Sequence, residues 1–208
     1  MTISQAELAL AVMYFNLLPV RGMDVSWRPE LFPENLLPYL FTPECSEKHL
    51  SAHILKTLHL ESSIYFDESW THWPLVLAPE NILADYAKVC GGLLLRHVLQ
   101  HTIAREHVLY YRQQLGNLYP FILEKGPLLY PRPATIFAFS PEQLIGKMQQ
   151  FGWLTLRQAA TLFPEAVTKR FMLKIPYEIT TLPVDDIALS AQQALTLLTH
   201  IRYEMDAK

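Results

Sequence analysis

Proline is the feature that most limits how this chain can fold. The sequence has 15 prolines and only seven glycines, and proline interrupts a helix because it lacks a backbone N–H and clashes with the preceding turn. Five prolines lie within residues 19–45, so only short helical turns are expected there, such as one over residues 34–40. Strand-like patterns are too few and too scattered to form a sheet. We therefore predict an all-α fold, a single irregular helical domain over residues 1–208, with Pro-rich connections and at most a minor extended segment near residues 171–176.

Longer helices are predicted between the prolines from their start and stop signals. Most helix starts are predicted from a capping residue or an early proline, and most helix ends are predicted from glycine. The predicted helices are a core helix over residues 8–18 with a capping box at Ser4 and Glu7, one from Ser46 to about Leu58, and one from near Pro79 through Leu99 with a weak point at Gly91-Gly92. Helix then resumes through about Leu115, with a C-cap at Gly116. Further helices are predicted over Asn117–Lys125, closed by Gly126-Pro127, from Ser140, more weakly from Thr155–Gln158, and from about Asp185 to Met205.

The composition is that of a folded globular chain. Half of the 208 residues are hydrophobic and 18% are charged, which excludes a disordered tail, a collagen and a highly charged nucleic-acid-binding arm. The apolar run from Leu8 to Leu18 is shorter than the roughly 20 residues of a membrane span, and it follows Glu7 rather than a basic region. We expect a soluble, cytoplasmic protein.

Charge is distributed unevenly along the chain. The net charge of −3 combines −7 over residues 22–85, +7 over residues 86–174 and −3 over residues 175–208. Such asymmetry bears on partners rather than on the fold. The blocks either neutralise one another within a compact fold or form separate binding surfaces.

The sequence contains no catalytic constellation that we recognise, and no enzyme activity or cofactor is expected. Cys45 and Cys90 have no metal-ligand spacing and are interpreted as small buried side chains in a reducing compartment. The carboxylate pair Asp67-Glu68 is placed in a loop, and the pair Asp185-Asp186 at a helix start.

Two histidine pairs, His49/His53 and His97/His101, have the i, i+4 spacing that brings two metal ligands to one helix face. Neither has the His-Glu-x-x-His form or a nearby carboxylate, so ordinary surface histidines are favoured and no metal is expected. A metal-dependent hydrolase that uses these pairs is kept as an alternative function.

A basic stripe is predicted on one helix face if the helix is continuous there. Its members are His97, His101, Arg105 and Arg112, and they would meet an acidic partner, or nucleic acid in an alternative function as a small helical regulator. A solvated helix face explains the same pattern.

Tryptophan side chains are core residues by default, but they also anchor interfaces. Among Trp27, Trp70, Trp73 and Trp153, those in the loop-like 61–78 segment, Trp70 and Trp73, are predicted to face a partner.

Several short motifs in order along the chain resemble one protein family. They are Phe15-Asn16 with Pro19, Leu36-Leu-Pro-Tyr-Leu40, His49-Leu-Ser-Ala-His-Ile-Leu55, Trp73-Pro-Leu-Val-Leu77, the helical stretch Leu83 to Arg96, Gly116 with Pro127-Leu-Leu129, and Lys169-Arg-Phe-Met-Leu-Lys-Ile-Pro176 before a terminal helix. The chain resembles, over roughly residues 15–205, the SctK (YscK-like) proteins of the bacterial type III secretion sorting platform.

This resemblance implies a non-enzymatic adaptor under the injectisome, at the cytoplasmic face of the inner membrane. Family members join the cytoplasmic domain of the inner-membrane ring protein SctD to the pod protein SctQ, and through it indirectly to SctL and SctN. The expected partners are therefore proteins, without nucleic acid and without direct membrane insertion. The expected partner-binding residues are His97, His101, Arg105, Arg112, Lys169, Arg170, Trp70 and Trp73.

Overall fold

A computed structural model describes residues 4–42, 46–130, 139–183 and 187–206. Within these ranges the chain forms α-helices joined by turns and three short 3₁₀-helices, with no strand, so the all-α prediction is confirmed. The α-helices are α1 (Gln5–Leu17), α2 (Arg28–Leu31), α3 (Leu37–Leu40), α4 (Glu47–Thr57), α5 (Trp73–Val76), α6 (Glu80–Leu94), α7 (Arg96–His101), α8 (Arg105–Leu115), α9 (Leu118–Leu129), α10 (Pro141–Ala160), α11 (Glu165–Met172), α12 (Tyr177–Thr181) and α13 (Ala191–Asp206).

The helices group into two compact units. Unit 1 comprises residues 1–80 and 160–182, and unit 2 comprises residues 81–159 and 183–208. The prediction of one domain over residues 1–208 stays a prediction. The segment near residues 171–176, which the sequence allows to be extended, is helical up to Met172 and then turns before α12.

Three helices begin with the same reciprocal pair of hydrogen bonds. Ser4 pairs with Glu7 at α1 and Ser140 with Gln143 at α10, as predicted. The third pair, Ser190 and Gln193, starts α13 later than the predicted start at Asp185; Asp185 and Asp186 lie outside the described residues. Each pair satisfies two backbone N–H groups that a helix start leaves free.

Other predicted boundaries are wrong because packing overrides local preference. Gly91 and Gly92 lie inside α6, and the break comes instead at Leu95. The predicted interruption after Leu99 lies at residues 102–104. The helix α9 continues through Gly126-Pro127 to Leu129, and α10 continues through Thr155, whose hydroxyl donates to the carbonyl of Phe151.

The first helix is not the core helix that its apolar sequence predicts. Only Val12 and Asn16 of α1 are buried, whereas Leu10, Met13 and Leu17 are between 45% and 47% exposed. A helix that is apolar on all sides is usually enclosed, so this exposure sets α1 apart.

The helices α6 and α10 cross in unit 2 with their backbones in near contact. A Cβ atom on Gly91 would lie 1.7 Å from the carbonyl oxygen of Met148, and one on Gly152 would lie 1.7 Å from that of Ala87. Neither position has room for a side chain. This crossing explains why Gly91 is a packing position and not a weak point of the helix.

We predict that Gly152→Ala lowers the free energy of unfolding by more than about 2 kcal/mol, because α10 must move away from α6 to admit the methyl group. Gly146→Ala lies on the same helix, with nothing within 4 Å of the new methyl group. This substitution should raise the free energy of unfolding by about 0.5–1 kcal/mol, since alanine favours the helix. Urea unfolding of both variants measures the effect. Equal effects of the two substitutions would contradict the tight crossing.

Candidate functional site: protein-interaction surfaces

Unit 1 is organised around a buried arginine on α11. Arg170 is 2% exposed and donates four hydrogen bonds to backbone carbonyl oxygens, at 3.1 Å to Asn16, 2.7 Å to Ser63, 3.0 Å to Ala166 and 3.1 Å to Leu60. The planar guanidinium group suits this task because it presents five N–H donors in fixed directions. One side chain thus joins the end of α1, the loop after α4, and α11.

A second buried cation lies one turn further along the chain. Lys174 donates through Nζ to the carbonyl oxygens of Val76, at 2.8 Å, and Ala78. Neither Lys174 nor Arg170 has an ion-pair partner among the described residues. Burial accordingly lowers the pKa of both side chains, that of Lys174 to about 8, since desolvation disfavours the charged form.

This geometry corrects one predicted surface residue. Arg170 does not belong to an exposed basic surface, because its charge is enclosed by carbonyl groups. Its neighbour Lys169 is exposed and forms an ion pair with Glu165 at 2.8 Å. The sequence Lys169-Arg170 therefore holds one surface cation and one core cation.

The predicted basic stripe is divided between two helices. His97 and His101 lie on α7, with ring centroids 3.9 Å apart, and the Nδ1 atom of His101 lies 2.9 Å from the carbonyl oxygen of His97. Arg105 and Arg112 are exposed on α8, after a break at residues 102–104. The four residues do not form one helical face, although all of them belong to unit 2.

The predicted tryptophan anchors are more buried than expected. Trp73 is 1% exposed and donates to the carbonyl oxygen of Asp67 at 2.6 Å, so its prediction as a partner-facing residue is wrong. Trp70 is half-buried and packs edge-to-face on Trp73, with ring centroids 5.0 Å apart. Both side chains belong to an aromatic cluster of unit 1, whose other members are Phe15, Tyr65, His72, Phe163 and Phe171.

An exposed apolar surface that the sequence analysis missed lies on α1. The segment of residues 63–67 runs alongside the helix and is held by Asn16, whose side-chain amide donates to the carbonyl of Tyr65 at 3.0 Å and accepts from the N–H of Tyr65 at 3.3 Å. Tyr65 packs into the aromatic cluster, whereas its neighbours Ile64 and Phe66 are more than half exposed.

These two neighbours and α1 form a groove of about 490 Å³, which we call the α1 groove; it is lined by Ala9, Leu10, Met13, Asn16, Leu17, Ile64 and Phe66. An apolar run on α1 without a polar face was the sequence signal that could have revealed it.

The two histidine pairs of the metal alternative gain no further ligand among the described residues. His49 and His53 are exposed on α4, and His53 Nε2 lies 3.0 Å from the carbonyl oxygen of Leu31. Among the described residues, no group of three or more His, Cys, Asp or Glu side chains could hold a metal ion.

Cys90, as predicted, is buried, and burial raises the pKa of its thiol. Cys45 lies outside the described residues.

The charge blocks of the sequence are redistributed by folding. Unit 1 contains 12 acidic and seven basic residues, whereas unit 2 contains ten basic and eight acidic residues. Unit 1 thus carries a net charge of −5 and unit 2 a net charge of +2. Lys169, Arg170 and Lys174 of the basic block belong to unit 1.

Comparison of the chain with protein-family models, curated proteins and solved structures finds no match. Over the residues that the structure describes, none of the helices has the length and apolar character needed to cross a membrane.

We predict that Arg170→Met lowers the free energy of unfolding by at least about 3 kcal/mol, because it removes four hydrogen bonds, three of which join α11 to segments distant in the sequence. Lys169→Met, one residue earlier, removes only an exposed i, i+4 ion pair and should change the free energy of unfolding by less than about 0.5 kcal/mol. Denaturant unfolding monitored by circular dichroism compares the two variants. Similar losses of stability in both would contradict the role of Arg170.

The lowered pKa of Lys174 predicts a specific pH dependence of stability. Between about pH 8 and pH 10 the unfolded chain binds more protons at this side chain than the folded protein does, so the free energy of unfolding should rise with pH. The free energy of unfolding of the wild type minus that of Lys174→Met should therefore increase by about 1–3 kcal/mol from pH 7 to pH 10. Denaturant titrations at both pH values measure this difference, and a constant or falling difference would show that Lys174 is not desolvated.

Proposed function

We propose that this chain is a non-enzymatic adaptor of a bacterial type III secretion injectisome, of the SctK kind. It links the cytoplasmic domain of the inner-membrane ring protein SctD to the pod protein SctQ, and thereby indirectly to SctL and SctN, and it is needed for assembly of the platform and for protein secretion. It acts in the cytoplasm, at the face of the inner membrane.

The observation that carries this proposal is the chemical difference between the surfaces of the two units. A linking protein needs two separate binding surfaces. Unit 1 is acidic in total and exposes the apolar α1 groove, whereas unit 2 is basic in total and exposes Arg105 and Arg112. Large exposed apolar patches are typical of protein interaction sites, and charged side chains accelerate and orient association.

The family resemblance supports the proposal at one further point. Its most characteristic segment, Lys169–Pro176, contains both buried cations, Arg170 and Lys174. That segment therefore has a structural role in unit 1. Of the predicted partner-binding residues, His97, His101, Arg105, Arg112, Lys169 and Trp70 remain candidates, because none of them is fully buried.

Co-expression with purified components tests the proposal directly. The tagged chain should retain both SctQ and the cytoplasmic domain of SctD from the same bacterium, alone and together. Replacing Arg105 and Arg112 by Gln should weaken retention of one partner by about tenfold and leave the other unchanged. Lys125→Gln with Lys147→Gln removes the same charge elsewhere in unit 2 and should have little effect on either partner.

The same preparation separates the alternatives. Retention of neither partner would refute the adaptor function. Stoichiometric metal in the purified protein would favour the hydrolase, and binding to DNA or RNA that weakens steeply with salt would favour the regulator.

A further inference from the structure

The α1 groove of unit 1 is lined almost entirely by apolar side chains. The exposed side chains of α1 have the spacing i, i+3, i+4 and i+7, at Leu10, Met13, Tyr14 and Leu17. This spacing forms one continuous stripe along a helix of about two turns. Ile64 and Phe66, which are 57% and 54% exposed, form the second wall. Isolated exposed apolar residues are common, but five that line one groove indicate a binding site; they are Leu10, Met13, Leu17, Ile64 and Phe66.

The groove is preformed and does not depend on a ligand for its shape. The two hydrogen bonds between Asn16 and Tyr65 fix the middle of the second wall, and a hydrogen bond from Gln5 to Glu68 fixes its far end against the start of α1. A partner that enters therefore loses little free energy in ordering the site, which favours binding.

Two acidic side chains lie at one end of the groove. Glu7 lies one turn before Leu10, and Glu68, two residues after Phe66, accepts a hydrogen bond from Gln5 at the start of α1. Hydrogen bonds from Ser4 lower the pKa of Glu7, so this side chain is ionised at neutral pH. Neither carboxylate forms an ion pair with another described residue.

The opposite end of the groove has a different charge pattern. Beyond Leu17, Arg21 is already paired with Glu47 at 2.7 Å, which leaves Lys48 as the adjacent cation. Among the described residues, a second copy of this chain packed antiparallel on α1 would therefore bring Lys48 alone to the two carboxylates. The charges favour a different partner that brings several cations.

We infer that the α1 groove binds an amphipathic helical segment of a partner protein, whose apolar stripe packs between α1 and the wall of Ile64 and Phe66 and whose flanking lysines or arginines meet Glu7 and Glu68. A helix suits the groove because the exposed stripe of α1 is about 10 Å long, which corresponds to two turns of a partner helix. The inference goes beyond the adaptor proposal and does not rest on it, because it specifies the chemistry of the ligand and not a secretion protein.

Binding of designed peptides to the full-length protein tests this inference. The probe is a helix-forming peptide of about 14 residues with leucines at i, i+3, i+4 and i+7 and flanking lysines. Two control peptides have the same leucines with flanking glutamates, or the same composition in scrambled order. Fluorescence polarisation at physiological salt should show that the lysine peptide binds at least about tenfold more tightly than either control.

Matched variants of the protein locate the site. Leu17→Gln in the groove should weaken binding of the lysine peptide by at least about tenfold, whereas Leu162→Gln should change it by less than about twofold. The two leucines are 47% and 46% exposed in the same unit, so they differ in location and not in exposure. Glu68→Gln should weaken binding by a few-fold and reduce its salt dependence.

Several results would overturn the inference. One is equal binding of the three peptides, and another is an equal effect of Leu17→Gln and Leu162→Gln. A third is a dimer in sedimentation analysis of the wild type that Leu17→Gln dissociates and Leu162→Gln does not, which would assign the groove to a second copy of the chain. Peptide binding without capture of SctQ and SctD would refute the proposed function and leave the groove inference standing. Capture of SctQ and SctD without peptide binding would refute the groove inference and leave the proposed function standing.

Discussion

The guanidinium group of Arg170 is the interaction on which unit 1 depends. Its four hydrogen bonds reach carbonyl groups at the end of α1, in the loop after α4 and within α11. A buried charge without a carboxylate partner is costly, and here it is stabilised by several backbone dipoles together. The position of α1 therefore depends on a residue more than 150 positions away in the sequence.

The same region determines why an apolar surface stays exposed. Asn16 accepts from Arg170 through its backbone carbonyl, and its side-chain amide binds both backbone groups of Tyr65. Fixing Tyr65 toward the aromatic cluster forces Ile64 and Phe66 to the opposite side, because side chains alternate along an extended segment. The α1 groove is thus a consequence of a buried polar network, and its walls are rigid for that reason.

Local sequence rules succeeded where the interactions are local. The capping pairs at Ser4 and Ser140 specify the starts of α1 and α10, since each involves residues only three positions apart. They failed at Gly91 and Thr155, where a neighbouring helix or an i−4 carbonyl decides the outcome. A glycine within a helical sequence predicts a weak point of that helix, but between α6 and α10 glycine is the residue that permits close packing.

The sequence by itself determined the all-α class, the starts of α1 and α10 and the uneven charge, because these depend on residue type and short spacing. Only the tertiary structure decided which cations and aromatic rings are available to a partner. Arg170 and Lys169 are adjacent and identical in charge, yet one is 2% exposed and the other carries a surface ion pair. Burial depends on distant segments that pack around a residue. The residues next to Arg170 or Trp73 in the sequence do not indicate which segments those are.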